Sequence, residues 1–301
     1  MYKKERTNTV TKQIVFGELP KAAAIDHTYK LDDAEPKRIL IIGTDSYIGK
    51  SVFCFMLRRP DTTSVEITDI RSYLKKPFDF SRYDAVLYTA GPGGVLKAAD
   101  KAKKAGTGMF IYISSLHVYG RMKGIITIKT PVIPSDEMGR KILSAEIELW
   151  KRNQPEFCVA ILRLPEVYGY ECPGSYRILS KLVCRLPFFP LYGRKCSWIH
   201  ADNVSSVIKN VIYYKRPGVY FPQNISYESA CEMALEIAEF YGKNLRLTRL
   251  LNPLIHISCV KLQTLQDIFT GYLCDQSLNV PLEWLEVNNM KESIRQSESG
   301  W

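Results

Sequence analysis

The sequence predicts an α/β protein built on a doubly wound parallel sheet, with a smaller C-terminal lobe. Three observations predict this class. Apolar runs within Arg38–Ile42 and Asp84–Thr89 are continuous, as in strands that helices cover on both faces. Strands and helices alternate through the first half of the 301 residues. A glycine-containing turn joins the first strand to the first helix.

The elements follow one another regularly as far as about residue 170. The predicted strands are Arg38–Ile42, Ser64–Thr68, Asp84–Thr89, Met109–Ile113 and Phe157–Leu162. The predicted helices are Lys50–Arg59, Val95–Lys104, Asp136–Arg152, Tyr176–Arg185, one after Asp202, and Tyr227–Tyr241. Beyond residue 170 the pattern is less regular, which favours a smaller lobe that shares residues with the edge of the sheet.

Composition narrows the class of protein. A hydrophobic content of 46% supports a sizeable core, and no apolar run is long enough to span a bilayer. The first 36 residues lack the apolar segment of a signal peptide, so we expect a cytoplasmic protein. The net charge of +10 indicates either an anionic partner or an ordinary basic surface. Nucleic-acid-binding motifs are absent from the sequence, which leaves phosphorylated small molecules as the favoured partners.

The eight cysteines form no C-x-x-C pair, and several lie inside apolar runs. We expect buried free thiols, with zinc binding and disulfides as the weaker alternatives.

The turn Gly43–Gly49 lies where a dinucleotide-binding fingerprint is found. Glycine lets the backbone approach a pyrophosphate, while the free amides and dipole of the following helix hold negative charge. Ser46 takes the place of the middle glycine, so the backbone comes less close there. Asp69 follows at about the distance expected for a carboxylate that binds the adenosine ribose, which favours NAD over NADP. NADP remains an alternative cofactor, because Arg71 can bind a 2′-phosphate.

Five segments occur in a characteristic order. They are Ile41–Gly43 with Ser46–Gly49, Phe110–Ser115 with Val118–Gly120, Leu162–Arg163 through Val167–Gly169, Trp198–Val204, and Gly218–Asn224. Together they resemble the NAD-dependent epimerase/dehydratase family of extended short-chain dehydrogenases, and within it the nucleotide-sugar 4-epimerase-like proteins of bacterial surface-polysaccharide clusters. The resemblance covers roughly residues 37–242. It implies an N-terminal extension over 1–36, a Rossmann-type NAD(P)-binding domain over 37–169 and mainly a substrate-binding lobe over 170–301.

The resemblance also implies ligands and contacts. NAD is the expected cofactor, with NADP less favoured, and a nucleotide-diphosphate sugar, preferably a UDP-sugar, is the expected substrate. The expected cofactor contacts are Gly43, Asp45, Ser46, Tyr47, Ile48, Gly49, Asp69, Ile70, Ala90, Gly91 and Leu164. The expected substrate contacts are Glu166, Arg177 and Arg194. No metal, nucleic-acid or membrane partner is expected, and a homodimer is left open.

The family's chemistry couples hydride transfer to removal of a hydroxyl proton by a tyrosine, which a lysine four residues later assists. Ser115 matches the serine that steadies the oxyanion. A gap-free match of Gly139–Arg140 and Ala145–Glu146 to the family's tyrosine helix puts Met138 at the tyrosine position and Ile142 at the lysine position. Neither side chain exchanges a proton, and loss of a general acid or base typically lowers a rate by about 10²–10⁴.

Neighbouring residues are weak candidates to replace the family's tyrosine and lysine. Lys141 is about 100° around the helix from Ile142, so it points elsewhere. Glu137 with Lys141 keeps the four-residue spacing only if the helix rotates, and Tyr119 stands where the family usually packs a side chain near the substrate.

Three other differences from the family's pattern also indicate an altered site. The segment from Gly91 to Ser114 is shorter than the family's, Cys196 replaces a diphosphate-binding arginine, and Glu166 places a charge where many relatives have asparagine.

Two hypotheses therefore remain. In the first, the protein binds NAD(P) and a nucleotide sugar with impaired or non-standard catalysis. In the second, it is a catalytically silent Rossmann scaffold used for cofactor sensing or complex assembly, because a fold does not determine an activity.

Overall fold

A computed structural model describes residues 37–58, 63–70, 78–122 and 124–299. The N-terminal extension and Arg71, which the sequence analysis singled out, lie outside these residues.

The strands of the described residues lie in one main sheet and three small ones. They are β1 (Lys37–Ile42), β2 (Thr63–Thr68), β3 (Ala85–Tyr88), β4 (Met109–Ser115), β5 (Ile125–Ile126), β6 (Cys158–Leu164), β7 (Glu166–Tyr168), β8 (Phe188–Pro190), β9 (Trp198–His200), β10 (Gly218–Tyr220), β11 (Arg246–Thr248) and β12 (Leu273–Cys274). The main sheet has the order β10-β6-β4-β3-β1-β2, and each of its pairs is parallel. The predicted α/β class with a parallel sheet is confirmed.

The helices of the same residues are α1 (Tyr47–Leu57), α2 (Val95–Lys104), α3 (Glu137–Trp150), α4 (Ser175–Arg185), α5 (Ala201–Tyr214), α6 (Ala230–Phe240), α7 (Asn252–Lys261), α8 (Gln263–Thr270) and α9 (Met290–Ser299). None of them combines the length and the apolarity that crossing a membrane requires.

The central strands are apolar throughout because helices cover both faces of the sheet. Along β1, Leu40 and Ile42 pack in the cluster that includes α2 and α3. Ile39 and Ile41 face the other way and pack with α1 and α5. Since successive side chains of a strand alternate between faces, a run of apolar residues is required where both faces are buried.

A third apolar cluster forms the core of the C-terminal lobe around Tyr168, Trp198 and Phe269, with side chains from α4, α6 and α8. Chain segments beyond residue 170 also complete the main sheet, because β10 pairs with β6 and α5 packs on the face that α1 covers. The division of the chain at residue 169 stays a prediction.

Several element boundaries differ from the prediction because polar side chains cap the helices. The helix predicted from Lys50 begins at Tyr47, since Ser46 has extended backbone angles and its Oγ accepts a hydrogen bond from Gly49 N. The helix predicted from Tyr227 begins at Ala230, after a capping box formed by Ser229 and Glu232.

All eight cysteines are free thiols, as expected. The expectation that the cysteines are buried is wrong for Cys54 and Cys184, which are exposed.

Candidate functional site

The candidate site lies at the carboxyl edge of the main sheet, where the turn after β1 meets the ends of β2 and β3. Gly43 has a φ of +134°, and its N–H donates to Thr68 O at 2.8 Å. A Cβ at Gly43 would lie 2.3 Å from Thr89 Oγ1, and a Cβ at Gly49 would lie 2.5 Å from Gly43 O. Only glycine fits at both positions, so the corner presents backbone to its surroundings. Sequence reasoning missed Thr89, which braces this corner.

The remaining residues of the turn have separate roles. Ser46 Oγ accepts from Gly49 N at 3.4 Å, a long hydrogen bond that uses one amide of the turn. Asp45 is exposed. The Tyr47 hydroxyl donates to Tyr170 O at 3.1 Å, which ties α1 to the segment after β7. Ile48 packs toward the apolar cluster under α1.

The expected adenosine-side residues lie on the neighbouring strand ends. Asp69 and Ile70 directly follow β2, and both are half-buried. Ala90 and Gly91 follow β3, and Gly91 has a φ of +75°. Leu164 is buried at the end of β6, where it pairs in register with Ser115 of β4.

Ser115 ends β4 and makes two contacts with His117. Its Oγ accepts from His117 N at 3.2 Å and lies 2.7 Å from His117 Nδ1. On the other side of the imidazole, Nε2 lies 3.7 Å from Asp267 Oδ1. Sequence reasoning missed both partners. A histidine two residues after the matched serine was a usable signal, whereas Asp267 lies 150 residues further on, in α8.

Met138 and Ile142 lie on α3, next to this serine segment. Gly139 packs so closely that a Cβ on it would lie 3.1 Å from His117 O. The Met138 side chain is 58% exposed, and Ile142 packs against the apolar cluster between the sheet and α3. A thioether and an aliphatic side chain provide no group that exchanges a proton with a sugar hydroxyl.

The replacements weighed from the sequence are engaged elsewhere. Lys141 Nζ lies 2.6 Å from Glu137 Oε1, and both side chains are mostly exposed. The hydroxyl of Tyr119 accepts from Arg163 Nη1 at 2.9 Å. Arg163 pairs with Glu146 at 2.6 Å in a buried ion pair, so these motif residues hold the sheet and α3 together.

Carboxyl groups surround His117. The contact with the Asp267 carboxylate raises the pKa of His117, and the negative charges of Glu166 and Asp136 add to the effect. Burial and the nearby charge of Asp267 raise the pKa of Glu166, which also accepts a hydrogen bond from Ser175. The carboxyl of Glu166 therefore belongs to the His117–Asp267 cluster.

His117, Glu166 and Asp267 each offer one atom of a type that can bind a metal, and these atoms lie within 4.8 Å of one another. The contact between His117 and Asp267 explains why these two residues lie close together.

The structure places the two expected substrate arginines in different clefts. Arg177 is exposed and lines a cavity of about 220 Å³ with Lys181 and Glu298. Arg194 borders the cleft that Asp267 and Tyr272 also line. Its Nη2 donates to Gly271 O at 2.9 Å, and its buried Nε has no hydrogen-bond partner among the described residues. Only Arg194 shares a cleft with a residue of the His117 cluster.

The arrangement is that of a Rossmann-type sheet with a glycine corner and a polar cluster at its carboxyl edge, the side on which such sheets bind ligands. A sequence model described as "NAD dependent epimerase/dehydratase family" matches residues 57–212, just over half of the chain. The chain belongs to this family. No curated protein sequence matches it.

Solved structures share its fold. The dTDP-glucose 4,6-dehydratase of Bacillus anthracis, in complex with NAD, is 17% identical over 87% of this chain and 95% of its own, with a TM-score of 0.61. The UDP-glucuronic acid 4-epimerase of Bacillus cereus, in complex with NAD, is 15% identical over 86% and 97%, with a TM-score of 0.66. The human epimerase family protein SDR39U1, with NADPH, is 12% identical over 87% and 99%, with a TM-score of 0.66.

Proposed function

We propose that this chain binds NAD at the Gly43–Gly49 corner and a nucleotide-diphosphate sugar, preferably a UDP-sugar, beside Ser115. The proposed setting is nucleotide-sugar metabolism of the kind that supplies polysaccharide synthesis. The cytoplasm is the proposed location, because eight free thiols suit a reducing compartment.

The backbone corner is the observation that carries this proposal. A Cβ at Gly43 or Gly49 would collide with Thr89 Oγ1 or with the Gly43 carbonyl, so the two glycines let β1, α1 and the end of β3 pack into the tight corner that a dinucleotide-binding turn requires. The first amides of α1 have no acceptor within the helix, and its dipole favours an anion there. In the proposed complex Asp69, which directly follows β2, would bind the adenosine ribose. When bound, the nicotinamide would supply hydride acceptance and donation.

The names of the structural neighbours support the ligand classes. Two were solved with NAD, and their names refer to dTDP-glucose and UDP-glucuronic acid. The third was solved with NADPH, so the choice of dinucleotide needs its own test. We propose NAD because a carboxylate at Asp69 would repel the 2′-phosphate of NADP.

Calorimetry with NAD, NADP and UDP-glucose tests the proposal. We expect NAD to bind more tightly than NADP, and UDP-glucose to bind in the presence of NAD. Asp69→Asn should weaken NAD binding about tenfold, because it removes a charge-assisted hydrogen bond. Asp100→Asn is the control, since its carboxylate pairs with Arg152 on the surface of α2. Absence of heat with either dinucleotide would refute the proposed cofactor.

A catalytically silent scaffold is the second candidate, which the exposed Met138 and the packed Ile142 favour. Such a protein would bind NAD and a sugar nucleotide and would never reduce the dinucleotide. Incubation with NAD and UDP-glucose, followed by NMR detection of a converted sugar nucleotide, separates the two candidates.

A further inference from the structure

We propose that Ser115, His117 and Asp267 form a proton relay that replaces the missing tyrosine and lysine. This inference rests on the proposed binding of NAD and a nucleotide sugar. It assigns the proton transfer to residues that the family motif does not include.

The contacts of Ser115 set the direction of the relay. Because Oγ already accepts the N–H of His117, its own O–H is available to donate to Nδ1, which lies 2.7 Å away. Nδ1 must then be unprotonated, and the proton of the neutral ring sits on Nε2. Nε2 faces Asp267 Oδ1 at 3.7 Å, so the carboxylate favours this tautomer. Such contacts are often long in unliganded proteins and tighten on binding.

The relay lies where the lost pair should be. Ser115 occupies the carboxyl end of β4, and the first turn of α3, which carries Met138, packs on the carbonyl of His117. The imidazole is 31% exposed, so it is neither sealed in the core nor free in solvent. The backbone of His117 is therefore adjacent to the helix turn that carries Met138 at the family's tyrosine position.

The groups facing His117 suit a proton acceptor. Asp267 of α8, Glu166 of β7 and Asp136 before α3 present carboxyl groups, and Tyr272 contacts the imidazole edge-on at 5.4 Å. The carboxylates stabilise an imidazolium, which is the product of the proton transfer. Asp267 acts through His117 and is a positioning residue.

The step balances as follows. The O–H bond of the sugar breaks and its proton moves to Ser115 Oγ, while the proton of Ser115 moves to His117 Nδ1. The electron pair of the O–H bond forms the carbonyl, and an oxidised nicotinamide dinucleotide, when bound, would accept the hydride from the carbon that bears the hydroxyl. Reduction at the carbonyl reverses each transfer.

The tautomer is tested without turnover. NMR of the ¹⁵N-histidine-labelled protein should show His117 with an unprotonated, hydrogen-bonded Nδ1 and a protonated Nε2. The chain has four histidines, so the resonances that His117→Gln removes identify it. A protonated Nδ1 in the neutral ring would overturn the relay, because it would donate to Ser115 instead of accepting.

Turnover is tested by NMR detection of sugar products, the 4-epimer first, after addition of UDP-glucose or UDP-N-acetylglucosamine to the protein with NAD, because NADH formed in the first transfer is consumed in the reverse one. We expect His117→Gln to lower the rate by about 10²–10⁴ while NAD and sugar-nucleotide binding persist. His256→Gln is the matched control, because His256 is exposed and its imidazole contacts Tyr192 instead. An unchanged rate in His117→Gln overturns the relay. A wild-type protein that binds both ligands and converts neither sugar nucleotide to a product also overturns it, while the proposed function stands.

Asp267→Asn tests the positioning role of Asp267 through the pH dependence of the rate, because a loss of packing alone would not shift that dependence. The acceptor must be neutral, so the rate should fall as the pH drops below the pKa of His117. Removal of the carboxylate lowers that pKa, and the acid limb should move to lower pH. An unmoved limb contradicts the role of Asp267. Loss of the wild-type rate in EDTA, with recovery in zinc or magnesium, would indicate a metal at the cluster and overturn the relay.

Discussion

At the scale of single residues, the Arg163 side chain is only 3% exposed. It pairs with the carboxylate of Glu146, which is fully buried. Arg163 Nε and Nη2 both donate to Glu146, and Ser114 Oγ also donates to it. These residues match the family motif, yet their contacts are structural. A buried charge without its partner costs far more free energy than an exposed one, because no water solvates it.

Glu146→Gln should lower the free energy of unfolding by about 3–5 kcal/mol, because it leaves the Arg163 guanidinium buried without a counter-charge. Urea denaturation measures the change.

Glu148→Gln on the same helix is the control. Glu148 pairs with Lys151 while 39% of its side chain is exposed, and such pairs contribute about 0–1 kcal/mol. Equal losses in the two variants would contradict the structural role of the buried pair.

The site residues differ in how far sequence could predict them. Ser115 was predicted because a local motif marks it, and its position at the end of β4 suits a site at this edge. The absence of a tyrosine and a lysine followed from the same local comparison. Asp267 could not be predicted, because nothing local in the sequence of α8 indicates that it faces His117.

At the scale of elements, the β1–α1 corner is the part of the fold where a local sequence pattern forms the proposed NAD-binding turn. The sequence predicted that the backbone requires glycine at positions 43 and 49. The structure shows why, because a Cβ would collide with Thr89 at position 43 and with the Gly43 carbonyl at position 49. The start of α1 at Tyr47 was missed, because the helix was predicted only from Lys50 although Ser46 provides the cap.

Gly49→Ala should lower both the melting temperature and the NAD affinity. The new methyl group would meet backbone at 2.5 Å, so α1 must shift away from the corner, and this outweighs the helix propensity gained from alanine. Thermal unfolding with and without NAD measures both effects.

Gly93→Ala is the comparison for this variant, since no atom lies within 4 Å of the position that its Cβ would take. A melting temperature of Gly49→Ala at or above that of Gly93→Ala would show that the corner tolerates a side chain.

At the scale of the whole molecule, buried ionisable groups make stability depend on pH. Burial raises the pKa of Glu228 to about 7, and its Oε2 has no hydrogen-bond partner among the described residues. The folded protein keeps this proton while the unfolded chain gives it up from about pH 4.5, so stability falls as the pH rises toward 7. His200 acts oppositely, because burial lowers its pKa to about 4 and stability is lost as the pH falls from 6.5.

Glu228→Gln isolates the first of these effects. Relative to the variant, the wild-type protein should lose on the order of 3 kcal/mol of stability between pH 4.5 and pH 8. Chemical denaturation of both proteins across this range measures the difference. A constant difference in stability at every pH would show that Glu228 does not hold its proton in the folded state.

The sequence by itself determined the strand–helix alternation, the glycine corner and the family, and it predicts that Met138 and Ile142 replace the family's tyrosine and lysine. These follow from local patterns of residues that are close along the chain. Only the tertiary structure decided that Tyr119 contacts Arg163, that Arg177 and Arg194 line different clefts and that His117 lies between Ser115 and Asp267. Such contacts depend on how the lobe packs against the sheet, and that packing brings together residues that no local pattern relates.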